Sequence, residues 1–269
     1  MTRPMRVAFF GQNGPFSAPA LRGLLRAHPR DFEIVVVVQG LRRVPREGTH
    51  CWHFPIKFRP RRIVGGQNLK DVAVRAGLPT LATADVNASV VCDELRPYDV
   101  DILVCVGFHC LFGANLLSLP KLLAMNLHPS MLPKWRGPSP IFWLLREGET
   151  ELGVTLHELT DAEDAGAILW QQSTPFGNGL SGGDLYRLAV EESLEALINV
   201  LNAPQELVRC TQSQPTGARA RRPRDEDFSV VPSRWSCQAL SNFIAGAAYF
   251  GTVRICLEDE VLEAPSVNR

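Results

Sequence analysis

The apolar positions of the first hundred residues follow two rhythms. Unbroken β-branched and aromatic runs at 6–10, 33–39 and 100–106 predict strands buried on both faces of a parallel sheet. Between them, stretches of helical period predict helices over 18–27, 69–77 and 87–95. Gly77 closes the second helix, Pro97 stops the third, and a short strand is expected at 79–82. Such alternation makes an α/β chain whose ligand-bearing turns lie at the carboxyl edge of the sheet. Further on, strands are expected at 125–128, 153–159 and 167–173, the middle one antiparallel. Helices are expected at 139–147 and 184–201, the second with Leu185, Leu188, Leu194, Leu197, Ile198 and Leu201 on one stripe. Residues 211–227 lack apolar periodicity and carry proline, glycine and mixed charge, so they read as a linker. A helix at 237–247 and a strand at 252–257 follow it. The expected architecture is a Rossmann-like, doubly wound, mostly parallel sheet over residues 1–204. A linker with a small C-terminal α+β appendage occupies 205–269.

One stretch breaks the rhythm. Between 41 and 67 the basic residues Arg42, Arg43, Arg46, Lys57, Arg59, Arg61 and Arg62 interleave with Trp52, His53, Phe54 and Phe58. A connection this long is either functional or a solvated insertion. As a lid, Arg59 and its neighbours would meet phosphate or carboxylate on a substrate. Gly11, Gln12 and Asn13, in the turn after the first strand, would offer a backbone cradle for an anionic part of that substrate; plain turn chemistry is the other reading. The Gly11-x-x-Gly14 pair lacks the third glycine of a dinucleotide fingerprint, which speaks against an oxidoreductase.

Composition adds boundaries. With 45% apolar residues a sizeable core is available, and 28 basic residues cancel 28 acidic ones. Binding to nucleic acid or membrane would therefore have to be local. The 7 cysteines form no C-x-x-C pair and read as reduced cytosolic thiols, with neither a disulfide frame nor a zinc site. An apolar span of about 18 residues is absent, as is a signal region, so a cytoplasmic protein off the membrane is expected.

The chemistry concentrates at residues 125–138. If the chain is extended from Met125 to His128, side chains at i and i+2 leave one face, and the Asn126 amide and His128 imidazole enter the same space. Pro129, Pro133, Gly137, Pro138 and Pro140 hold the following loop in a non-helical path. The run Asn126-x-His128-Pro129-Ser130-x-Leu132-Pro133-x-x-Arg136-Gly137 resembles the signature of the folate-dependent formyltransferases. That family includes glycinamide ribonucleotide, methionyl-tRNA and nucleotide-sugar formyltransferases. A second block at 153–169, with Asp164-Ala165-Gly166, is similar to the family's partner motif, and two motifs in the expected order are more specific than one.

The resemblance implies a formyltransferase fold, 10-formyltetrahydrofolate as formyl donor and no metal. It implies Asn126, His128 and Asp164 as the catalytic set. On spacing alone Asp161 and Glu163 rival Asp164; the family's Asp-x-Gly pattern selects Asp164. Phe108, Cys110, Leu111 and Phe112, leaving the central strand, match the segment that wraps the pterin. Ser130, Met131, Leu132 and Pro133 match the loop lining the folate site, and Leu159, Thr160 and Asp161 the segment closing over it. The expected partner is a small-molecule or carrier-bound primary amine. A tRNA acceptor is disfavoured, because the chain after residue 204 is shorter than the barrel that tRNA-acting relatives carry there. Hydrolysis of 10-formyltetrahydrofolate and a non-catalytic folate-binding module are the other readings. The oligomeric state is open, a dimer through the C-terminal part being one arrangement.

Overall fold

The computed structural model describes residues 3–27, 31–41, 68–213, 219–257 and 260–264, and the backbone of 52–53. In chain order the elements are β1 (Met5–Gly11), α1 (Ser17–Arg26), β2 (Phe32–Gly40), β3 (Trp52–His53), α2 (Leu69–Arg75), β4 (Thr80–Thr83), α3 (Ser89–Leu95) and β5 (Ile102–Val106). Then come α4 (Ala114–Leu117), β6 (Leu123–His128), α5 (Pro140–Arg146), β7 (Glu151–Glu158), β8 (Ile168–Pro175), α6 (Gly182–Asn202), β9 (Ser229–Val230), α7 (Cys237–Ala247), β10 (Val253–Cys256) and β11 (Val261–Ala264). The main sheet has the order β3-β4-β2-β1-β5-β6-β7-β8, and β9, β10 and β11 form a second, small sheet. β1 pairs in parallel with β2 and β5, β2 with β4 and β5 with β6, while the two-residue β3 is antiparallel to β4. This is the doubly wound, mostly parallel sheet that the apolar rhythm predicts, with a small C-terminal sheet. The strand order reverses between β1 and β5, where open α/β sheets bind ligands.

The chain forms two compact units. The first comprises residues 1–128, 156–170 and 193–212. Its strand register fixes which side chains share a face. Val38, Phe10, Cys105 and Asn126 lie in one row across β2, β1, β5 and β6, and Gln39, Gly11, Val106 and Leu127 in the next. Because side chains of successive rows point to opposite faces, Asn126 shares its face with Phe10 and Cys105. On that face a core of Phe10, Val36, Val38, Leu81, Val91, Leu95, Leu103, Phe112 and Leu116 excludes water. Each such large side chain, fully buried, contributes roughly 1.5–3 kcal/mol. On the other face Gly23 lets α1 approach Leu194, whose Cδ2 would stand 2.6 Å from an added Cβ.

The second unit comprises residues 129–155, 171–192 and 213–269. It packs around Phe142 of α5, whose ring lies 5.0–5.8 Å from those of Trp143, Phe228, Phe243 and Phe250. Residues 219–227, part of the stretch 211–227 read from composition as linker, are anchored here. Ala220 is fully buried, its N–H donates to the Arg136 carbonyl, and its own carbonyl accepts from Ser139 N. Trp143 Nε1 donates to the Arg221 carbonyl while the Arg221 guanidinium stacks on the Trp143 ring at 4.9 Å. Arg221 also grips both oxygens of Asp227, at 2.6 and 2.8 Å. Burial opposes ionisation of the Asp227 carboxyl, but Arg221 and the Arg224 N–H outweigh it and hold the group below the usual carboxylate range. A depressed folded pKa contributes stability that is complete above the unfolded value and lost as pH falls through the folded one. The melting temperature of the native protein should therefore exceed that of Asp227→Asn at pH 7, and the gap should close on acidification below about pH 4. A gap that persists to pH 2 in paired thermal scans would refute this account.

Candidate active site

The site is built at the carboxyl end of β6. Its alternation turns Met125 and Leu127 to one face and Asn126 and His128 to the other. Both polar residues are more than nine-tenths buried. Unpaired burial would cost each of them about 1–3 kcal/mol, so their partners decide whether the arrangement is stable.

The partners come from β7 and the loop after it, within the same unit. His157 on β7 is 1% exposed. Its Nδ1 lies 2.8 Å from the Glu158 carbonyl oxygen, which can only accept, so Nδ1 carries the proton. That leaves Nε2 as an acceptor, 3.1 Å from Asn126 Nδ2. The chain Asn126 N–H to His157 to Glu158 carbonyl fixes the Asn126 amide in one orientation. Asp164 completes the group, with Oδ2 3.7 Å from His128 Nδ1 and Oδ1 3.6 Å from His157 Nε2. These separations exceed hydrogen-bond reach but place the carboxylate as the nearest negative charge to both rings. The rings of His128 and His157 stand nearly perpendicular, 6.2 Å apart. His128 Nδ1 faces Asp164, so Nε2 is the ring nitrogen remote from the carboxylate.

Asp164 holds its place in a left-handed backbone conformation, φ +46°, which costs a non-glycine residue on the order of 1–2 kcal/mol. Gln212 offsets that strain: its Nε2 donates to the carbonyls of Asp164 (2.9 Å) and Gly166 (2.7 Å). Gly166 presses against Glu158, where an added Cβ would stand 2.7 Å from the carbonyl carbon and closer still to its oxygen. Removing the Gln212 amide, as in Gln212→Ala, should lower kcat about tenfold by loosening Asp164, with the melting temperature lowered by only a few degrees. Equal kcat in steady-state assays would remove Gln212 from this role.

Beside the polar group lies an apolar wall. Phe108 packs on Phe10 at 6.0 Å and on Phe112 at 5.3 Å, and Leu159 joins the same core, its N–H donating to the Ala124 carbonyl. Cys105, next to Asn126 in the sheet, has its thiol pKa pushed up by burial and further by the nearby Asp164 charge, so it remains a neutral thiol. Cys110 and Leu111 are exposed, at the outer side of the loop; the Leu111 carbonyl accepts from Asn87. Thr160 bonds the Ala162 carbonyl in a local turn, and Asp161 is exposed.

In the second unit, the loop that continues from His128 is held by side chains that the sequence reading passed over. Thr155 donates to the Ser130 carbonyl at 2.6 Å, and Gln171 Nε2 donates to Thr155 Oγ1 and to the Leu132 carbonyl. Ser130 and Leu132 are buried, Met131 is partly exposed, and Pro133 follows a cis bond. Gly153 admits the Met131 backbone at a distance no Cβ would allow.

The remaining candidates are committed to the fold or lie outside the description. Gln12 Nε2 donates to the Gly107 carbonyl at 2.5 Å and Gln12 N to Ser17 Oγ. Asn13 Oδ1 accepts from Leu69 N at the start of α2, and Gly11 gives room to Ser17. Arg59 and most of the basic loop lie outside the described residues. Among the described residues there is no cluster suited to a metal ion and no helix long and apolar enough to cross a membrane.

The chain is similar to known proteins over most of its length. A family model described as formyl transferase matches residues 65–201. The methionyl-tRNA formyltransferase of Citrifermentans bemidjiense is 29% identical over 261 residues, spanning 96% of this chain and 76% of that protein. That of Synechocystis sp. is 32% identical over 251 residues, spanning 91% and 70%. Among solved structures, the Mycobacterium tuberculosis protein Rv3404c, described as a likely sugar N-formyltransferase, shares the fold with a TM-score of 0.59 at 19% identity. It covers 99% of this chain and 98% of its own.

Proposed function

The chain belongs to the formyl transferase family, and on that premise we propose that it moves the formyl group of 10-formyltetrahydrofolate to a primary amine of a small-molecule or carrier-bound acceptor. The observation that carries the reading is the convergence of the Asn126 amide, the His128 imidazole and the Asp164 carboxylate within one compact unit.

The reduced folate supplies an activated carbonyl and a nitrogen leaving group. This donor set fits it. As an amine attacks, negative charge builds on the carbonyl oxygen, and Asn126 Nδ2 and a protonated His128 are the groups able to donate to it. Each such donor contributes about 3–4 kcal/mol in a water-excluded site. His157 keeps the Asn126 amide from rotating, so the donor is in place before charge develops. Asp164 opposes the positive charge on His128 and accepts the proton that the attacking amine sheds, which then passes to the departing nitrogen. Phe108 and Leu159, both partly exposed at the edge of that core, suit the flat face of a pterin, for which apolar walls and backbone groups suffice.

A second reading concerns the acceptor. The two sequence relatives above are methionyl-tRNA formyltransferases, which supports an aminoacyl-tRNA in that role. Free thiols at Cys92, Cys105, Cys110, Cys210, Cys237 and Cys256 suit a cytoplasmic setting for either.

The test is incubation with 10-formyltetrahydrofolate and a panel of amines, following released tetrahydrofolate by absorbance. The panel holds methionyl-tRNA, glycinamide ribonucleotide, an amino-sugar nucleotide and methionine methyl ester. Amine-dependent release supports transfer. Equal release without amine would make the enzyme a hydrolase, and binding with no release would make it a non-catalytic module.

A further inference from the structure

Gln39, at the carboxyl end of β2, is 7% exposed, and its Oε1 is buried with no hydrogen-bond partner among the described residues. Native structures rarely leave such a group unpaired, because a buried, unsatisfied carbonyl forfeits its bonds to water. The side chains around it do not share the deficit. Ser17 Oγ donates to the Val106 carbonyl and accepts from Gln12 N, Gln12 Nε2 donates to Gly107, and Asn13 Oδ1 accepts from Leu69 N. The rim of β1 is thus internally satisfied, and Gln39 is the acceptor left over.

Its position says what would fill it. Gln39 pairs with Gly11, and an added Cβ on Gly11 would meet Ser17 and Leu69. Partners in register share a face, so Gln39 looks toward the starts of α1 and α2, the face opposite to Asn126, His128 and the apolar wall. A group bonded to Gln39 therefore does not belong to the pterin. Gln39 stands in one row with Gly11, Val106 and Leu127. Three strand spacings of about 4.8 Å separate Gln39 from Leu127, the residue between Asn126 and His128.

We propose that Gln39 is a specificity-determining residue that accepts a hydrogen bond from an N–H or O–H of the acceptor, roughly 15 Å from the reacting nitrogen. This rests on the formyl-transfer reading and sharpens it. The acceptor is an extended molecule crossing the carboxyl edge of β1 and β2, such as a nucleotide or an aminoacyl nucleoside end, and not a small free amine. The cost of leaving Oε1 unpaired is met when the acceptor binds, and an acceptor lacking the donor group leaves it unmet.

The experiment compares the native protein with Gln39→Met, which keeps the shape and removes the acceptor oxygen, on the amine panel above. Extended amines should be formylated and methionine methyl ester should not. In Gln39→Met, KM for the extended amine should rise at least about tenfold, with kcat and 10-formyltetrahydrofolate binding within about twofold. The melting temperature should hold or rise, since an unsatisfied polar atom is gone. An unchanged KM overturns the inference alone. So does a melting temperature lowered by more than about 5 °C, or a failure to fold, since Gln39 would then be a structural residue. Efficient formylation of methionine methyl ester also overturns it. Should the native protein formylate no amine, the underlying reading of function is what falls.

Discussion

Replacing His128 with alanine is expected to lower kcat about a thousandfold while leaving the dissociation constant for the folate within about twofold. Removing a single oxyanion donor typically costs about a hundred- to a thousandfold. His128 serves twice, as donor to the developing charge and as the link through Nδ1 to Asp164 at 3.7 Å. Its loss should therefore sit at the upper end of that range. The effect should fall on kcat because the interaction strengthens only as charge develops. The apolar surface of Phe108 and Leu159 is untouched by the change, so binding of the aromatic donor should survive. Single-turnover rates and folate titration by fluorescence separate the two. A kcat within a factor of ten of native would take His128 out of the chemistry, and a folate affinity lost along with kcat would make it a packing residue.

The strands that carry the site were legible because a doubly wound sheet writes itself as unbroken apolar runs. β1, β2 and β5 are such runs, and α7 lies at 237–247 as its period predicts. Asn126 and His128 were readable as a pair from the i, i+2 spacing and the prolines behind them. His157 was not. It sits in a strand that reads as apolar through Leu152, Val154 and Leu156, and its partner Asn126 is 31 residues away. Only the sheet order places β7 beside β6, which makes the imidazole a support for the amide. Spacing alone left Asp161, Glu163 and Asp164 equivalent; in the fold Asp161 is exposed and Asp164 lies between two histidines. α4, four residues long, is too short to show a period. The anchoring of residues 219–227 rests on backbone bonds and an arginine on a tryptophan, which leave no local pattern.

The largest structural effect is expected from Gly166→Ala, a single added methyl. The methyl would overlap the Glu158 carbonyl, so either β7 or the loop 160–166 must move. Both routes damage the site. Displacing the Glu158 carbonyl breaks the 2.8 Å bond from His157 Nδ1, and with it the reason for Nε2 to accept from Asn126. Displacing the loop pulls Gly166 and Asp164 off Gln212 Nε2, which holds Asp164 in its left-handed conformation. Overpacking against backbone costs typically 1–3 kcal/mol, and a shift of about 1 Å in a catalytic group costs on the order of a hundredfold in rate. The expected result is a protein that folds, melts several degrees lower, and turns over at least about a hundredfold more slowly. Gly166→Ala with native kcat would show that neither the His157 bond nor the Asp164 backbone geometry limits the reaction. A variant that loses stability but keeps its rate would assign Gly166 to packing alone. Pairing it with Gln212→Ala decides between the two routes. If the loop is what moves, the two changes act through the same displacement and their effects on kcat should be less than additive. If β7 moves instead, they should combine independently.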